Sequence, residues 1–126
     1  MATIIDGKAL AKKIRLELKE KVKDLNNKNI YPKLAVIMVG DDKASQVYVK
    51  NKSKACNEIG IDFEEFLLPS NTNMEILLNL IEVLNNREDI SGILLQSPIP
   101  EPLNIREAFN KISYKKDVDG FHPINV

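Results

Sequence analysis

Leu34-Ala35-Val36-Ile37-Met38-Val39-Gly40-Asp41-Asp42 is the stretch that decides the architecture. Six apolar, β-leaning residues run together and are closed by a turn of glycine and acids. Such a run reads as a strand buried on both faces, the kind found inside a parallel sheet. Beyond it, Lys43–Ile59 holds neither Gly nor Pro and predicts a helix with Gly60 as its C-cap. Asp62–Leu68 alternates weakly and reads as a second strand, ended by Pro69-Ser70-Asn71. Thr72 with Glu75 matches a capping box opening a helix through Asn85, with Ile76, Leu77, Leu80, Ile81 and Leu84 as its buried stripe. Gly92–Gln96 is another short apolar strand, stopped by the proline-rich Ser97–Pro102. Asn104 with Glu107 caps a last helix through Ile112, and Ser113–Val126 is polar and turn-rich. Upstream, Asp6 caps a helix in which Leu10, Ile14, Leu18, Val22 and Leu25 share a face, before Tyr31-Pro32 breaks the chain. Helices alternating with short apolar strands predict an α/β fold. The expected form is a three-layer sandwich, a mostly parallel sheet flanked by helices.

Residues 1–126 amount to one domain of ordinary size. Lys+Arg and Asp+Glu number 18 each, so the net charge is zero, which argues against nucleic acid or an anionic membrane as partner. A single cysteine, Cys56, and a single histidine, His122, exclude a disulfide framework and a standard zinc site. The longest apolar run is far short of the ~20 residues of a membrane span. The N-terminus has no signal or transit character, so a cytoplasmic location is expected.

Parallel α/β sheets collect ligands at the carboxyl ends of their strands, and three chemically unusual segments fall there. In the first, Ser45, Tyr48 and Lys52 are spaced three and four apart, one face of a helix. A phenol beside an amine suits proton transfer, because a desolvated lysine can act as a base near neutral pH. The same residues also fit a solvated lysine face with Tyr48 half-packed on the core. The second segment places Gln96 just past an apolar strand, where its amide can orient an amine or a heterocycle, or simply face solvent. The third, Lys116–Pro123, offers Asp117 and Asp119 before Gly120, as a turn or as a grip on ring N–H groups. His122, followed by proline, carries no assigned role.

Read jointly, these segments resemble the bifunctional methylenetetrahydrofolate dehydrogenase/methenyltetrahydrofolate cyclohydrolase family. The resemblance runs from Ile5-Asp6-Gly7-Lys8 through Val39–Lys52 and Gly92–Pro100 to Lys116–Val126. It implies a folate site in which Lys52 is the key catalytic group and Tyr48 contacts the folate and helps hold the lysine. Gln96 hydrogen-bonds the lysine and tunes its protonation. By the same resemblance Asp119 grips the pterin-like ring, Ser45 is a supporting hydroxyl, and the backbone around Leu95, Gln96 and Ser97 lines the cleft. The implied chemistry is oxidation of 5,10-methylenetetrahydrofolate with NADP, then hydrolysis of the methenyl cation to 10-formyltetrahydrofolate. Ser97 stands where the family has a larger apolar residue and Tyr114 where it commonly has proline, departures that bear on pocket shape.

The five glycines, Gly7, Gly40, Gly60, Gly92 and Gly120, cannot form a Gly-x-Gly-x-x-Gly loop. The chain therefore reads as the N-terminal half of a longer enzyme, with the NADP site in a C-terminal domain outside it and a homodimer implied. A short-chain dehydrogenase needs that glycine loop at its N-terminus. A response-regulator receiver domain needs a first strand followed by paired acids. A catalytically silent folate-binding module stays open as the alternative.

Overall fold

A computed structural model describes residues 7–117 of the chain, apart from the side chains of residues 7–12, 14 and 15. The expected caps and stripe around Asp6, Leu10 and Ile14 lie outside that description, as do Asp119 and His122. The elements are α1 (Gly7–Asn27), β1 (Lys33–Val39), α2 (Lys43–Ile59), β2 (Asp62–Leu68), α3 (Met74–Asn86), β3 (Gly92–Leu95) and α4 (Ile105–Lys111).

The three strands form one parallel sheet in the order β2-β1-β3. Leu34 pairs with Phe63 and with Gly92, and Ile37 with Phe66 and with Leu95. Strand geometry sends alternate side chains to opposite faces. Ala35, Ile37, Val39, Ile93 and Leu95 face one layer with Leu77, Ile81 and Leu84 of α3, Ala108 of α4 and Ile112. Val36, Met38 and Leu94 face the other with Val49 of α2. That is the three-layer sandwich. Every residue of β1 from Ala35 to Val39 is buried, which explains why the run carries no polar alternation. Each large aliphatic side chain so buried contributes about 1.5–3 kcal/mol relative to exposure.

Crossovers between parallel strands are right-handed. The chain steps from β1 through α2 to β2 on one side, then back across β1 through α3 to β3 on the other. The two helices consequently lie on opposite faces, and the strand order switches between β1 and β3. Gly60, at φ 84°, ends α2 in the left-handed conformation, and Ile61 N–H returns to the Cys56 carbonyl at 2.9 Å.

Local details differ from the expectation in three places. Asn73, not Thr72, caps α3: its side chain accepts from Ile76 N–H at 2.9 Å. The Thr72 hydroxyl is occupied elsewhere, donating to the Pro69 carbonyl at 2.6 Å within the preceding turn. Ile76 is 50% exposed and outside the buried stripe, which Leu77, Ile81 and Leu84 form. Leu18 of α1 is also exposed, while Val22 is buried. Thirdly, the tail returns to the sheet. Ile93 N–H donates to the Lys116 carbonyl at 2.7 Å, and Asp117 bridges Ile93 in parallel sense on the free edge of β3.

Candidate functional site

Helix α2 begins at the carboxyl end of β1, directly after the Gly40-Asp41-Asp42 turn, and its first turn is organised by Asp42. The Asp42 carboxylate accepts from Ser45 N–H at 2.8 Å and lies 2.9 Å from Ser45 Oγ. Ser45, Val49 and Cys56 form the buried stripe of the helix. Lys52, half-buried, sits on the side of that stripe toward β3, and Tyr48 stands at its margin, 55% exposed. Across the switch point, Gln96 N–H donates to the Ile37 carbonyl at 2.9 Å, one rung beyond the end of β3. The Gln96 side chain is thereby delivered toward α2, only 7% exposed.

The two halves meet there. Lys52 Nζ donates to Gln96 Oε1 at 2.7 Å, and Gln96 Nε2 donates to the Ser97 carbonyl at 3.1 Å. A backbone carbonyl only accepts, so the Gln96 amide is held with its NH₂ toward Ser97 and its oxygen toward the lysine. Ser45 Oγ also lies 3.3 Å from the Ser97 carbonyl. One polar chain thus links Asp42, Ser45, Ser97, Gln96 and Lys52.

Next to it, a cleft of about 300 Å³ opens between the β1–α2 turn and the β3–α4 loop, walled by Gly40, Asp41, Asp42, Pro98, Ile99 and Pro100. Gly40, at φ +91°, leans so close to Pro100 that a Cβ there would come within 3.1 Å of the proline Cγ. Larger hollows of about 330 and 480 Å³ lie on the other flank of α2, along the edge strand β2. They share Lys50 and Ser53 and include none of the residues in the polar chain.

Of the residues singled out from the sequence, Ser45, Lys52, Gln96 and Ser97 come together. Ser45 is 1% exposed, so its hydroxyl serves the protein's own groups. Leu95 turns its side chain into the core against α3 and α4, leaving only its backbone near the loop. No hydrogen bond joins Tyr48 to Lys52 among the described residues. The carboxylate missed by the motif reading is Asp42, whose signal was its place three residues before Ser45 at a helix start. Lys116, in the third segment, is committed elsewhere: its ammonium donates to the carbonyls of Leu84, Asn85 and Arg87 at the end of α3.

Burial pushes the Cys56 thiol up, leaving it protonated and unreactive at neutral pH. At the opposite end of the sheet, Lys33 and Arg87 bracket Glu64 and hold its carboxyl below the usual range, and Arg87 does the same to Asp89.

Fold and polar chain together define a doubly wound α/β domain with its chemistry at the strand-order switch, where such sheets hold small ligands. Residues 5–119 match the catalytic domain of tetrahydrofolate dehydrogenase/cyclohydrolase, and the chain belongs to that family. The bifunctional protein FolD of Methanosarcina mazei is 52% identical over 124 residues, covering 98% of this chain and 43% of that protein. The FolD of Geotalea daltonii is 51% identical over 126 residues, covering 100% and 45%. Among solved structures, FolD methylenetetrahydrofolate dehydrogenase/cyclohydrolase from Campylobacter jejuni superposes with a TM-score of 0.96 at 50% identity over 98% of this chain and 44% of that one. The Trypanosoma brucei FolD, solved with NADP cofactor and an inhibitor, gives 0.91 at 37% identity over 98% of this chain and 42% of that one. The chain spans less than half the length of these relatives.

Proposed function

We propose that this chain is the folate-binding, catalytic domain of a methylenetetrahydrofolate dehydrogenase/methenyltetrahydrofolate cyclohydrolase. The observation that carries the reading is the 2.7 Å bond from Lys52 to a Gln96 amide of fixed orientation, at the switch point of the sheet.

The hydrolysis is the step to which the chain's own residues contribute. Water adds to the carbon that joins N5 and N10 in the methenyl cation. Lys52 takes the proton released by that water and hands it to N5 as the C–N5 bond breaks, while the carbinol O–H gives up its proton to solvent as the formyl C=O forms on N10. Overall one water is consumed and one proton released. Gln96 suits both states of the lysine: its oxygen accepts from the ammonium, and equally from an N–H of the neutral amine. The exposed Tyr48 ring offers a flat face for the folate, Asp119 supplies a carboxylate to the pterin N–H groups, and the backbone at Leu95–Ser97 forms the adjoining wall.

The pyrophosphate of NADP does not fit the described start of α2. The N-terminus of α2, where a doubly wound fold would hold a pyrophosphate, is already capped by the Asp42 carboxylate and flanked by Asp41. In this reading the dinucleotide for the dehydrogenase step is held by residues outside this chain, and this domain contributes the bound folate. A homodimer and a cytoplasmic location belong to the same proposal; no described helix is long and apolar enough to cross a membrane.

Lys52→Met in the full-length enzyme tests the reading. Methenyltetrahydrofolate hydrolysis is expected to be abolished, with the circular dichroism spectrum unchanged. A wild-type rate would leave the domain a folate-holding module without a catalytic lysine.

A further inference from the structure

We infer that Ser45 and Asp42 are positioning residues for Lys52, acting through the Ser97 carbonyl and the Gln96 amide rather than by touching the ligand. Ser45 is 1% exposed and lies between two acceptors, Asp42 Oδ2 at 2.9 Å and the Ser97 carbonyl at 3.3 Å. Asp42 Oδ2 accepts from Ser45 N–H, and the one Ser45 O–H is shared between that oxygen and the Ser97 carbonyl as a three-centre bond, which fixes the hydroxyl's rotamer at the first turn of α2.

The Ser97 carbonyl follows the last rung of the sheet ladder at Gln96 N–H, so the sheet itself does not hold it. Its described polar contacts are Ser45 Oγ and Gln96 Nε2. If that carbonyl drifts, the Gln96 amide loses the acceptor that holds its NH₂ end and keeps its oxygen toward Lys52. The flipped amide would present NH₂ to the lysine and set oxygen against oxygen at Ser97, losing both bonds. The serine is thus the peg on which the orientation of Gln96 depends, and Asp42 is what keeps the peg in place.

The test follows the Gln96 side-chain amide by ¹⁵N NMR in this chain and, in the full-length enzyme, kcat and KM for methenyltetrahydrofolate hydrolysis. Alanine is a good helix former, so Ser45→Ala is expected to fold. It should shift or broaden the Gln96 Nε2 resonances and lower kcat about five- to tenfold with KM nearly unchanged. Asp42→Ala should reproduce that pattern. Asp42→Asn, whose amide oxygen still accepts from Ser45, should restore most of it. The kinetic arm rests on Lys52 being catalytic, whereas the NMR arm does not. Altered Gln96 resonances with wild-type kcat would uphold the positioning and refute the catalytic lysine. Unaltered Gln96 resonances in both Ser45→Ala and Asp42→Ala would overturn the inference. So would a melting-temperature loss in Asp42→Ala without any change at Gln96, since that is the signature of a helix cap alone.

Discussion

Replacing Lys116 by methionine isolates one interaction that holds α3 and the tail of the chain together. The Lys116 ammonium donates to the carbonyls of Leu84, Asn85 and Arg87 at 3.0, 2.9 and 2.6 Å. These groups belong to the last turn and exit of α3, where the helix dipole is negative; the Leu84 and Arg87 carbonyls also accept long backbone bonds, each 3.3 Å, from Arg87 and Ile90 N–H. Methionine keeps the length of the side chain and removes all three donors. A hydrogen bond to a charged group contributes about 1.5–3 kcal/mol, and the dipole adds about 0.3–1 kcal/mol. The three bonds share one ammonium and the site is half-buried, so water recovers part of the loss and the terms do not sum. The expected cost is about 2–3 kcal/mol, or a Tm lower by about 10 °C for a domain of this size. Urea unfolding followed by far-ultraviolet circular dichroism measures it, as a lower midpoint at constant m-value. Lys115→Met is the matched control, because Lys115 is exposed and its ammonium merely lies 5.9 Å over the Tyr114 ring. If the two variants unfold together, the capping role of Lys116 is refuted.

Gly40→Ala forces a side chain into positive φ and against the rigid Pro100 ring, and is expected to destabilise by about 1–3 kcal/mol. An unfolding midpoint equal to wild type would show that the turn relaxes freely. The Lys33, Glu64, Arg87 and Asp89 cluster makes stability depend on acid. Glu64 and Asp89 titrate below their ordinary values of 4.5 and 3.8 in the fold. Their contribution is therefore complete above those values and is lost as pH falls through the lower, folded ones. Stability should drop below about pH 4.5, and Arg87→Met should flatten that dependence; equal pH slopes would count against it.

Much of the fold was legible because its signals are local. Leu34–Val39 has no polar residue since both faces of β1 are covered, and Gly60 ends α2 because the chain there needs positive φ. The start of α3 was misplaced by one residue: Thr72 and Asn73 are both good caps, and only the turn from Pro69 decides which side chain is free. The Asp117 bridge to Ile93 could not be read, because a single pairing has no periodicity to leave in the sequence.

The candidate site divides in the same way. Ser45, Tyr48 and Lys52 at helical spacing, and Gln96 after a strand, were visible as chemistry-bearing residues in the sequence by itself. Their family resemblance could be seen there too. Tertiary structure decided which of them meet. Lys52 and Gln96 are 44 residues apart and meet because β1 and β3, in parallel register, end side by side. Burial turned Ser45 inward and made Asp42 its anchor, and Lys116 is committed to the end of α3. Residue type and spacing set which groups can react, since those follow from the covalent chain. Which groups face one another depends on the order in which strands cross, and that order exists only in the folded sheet.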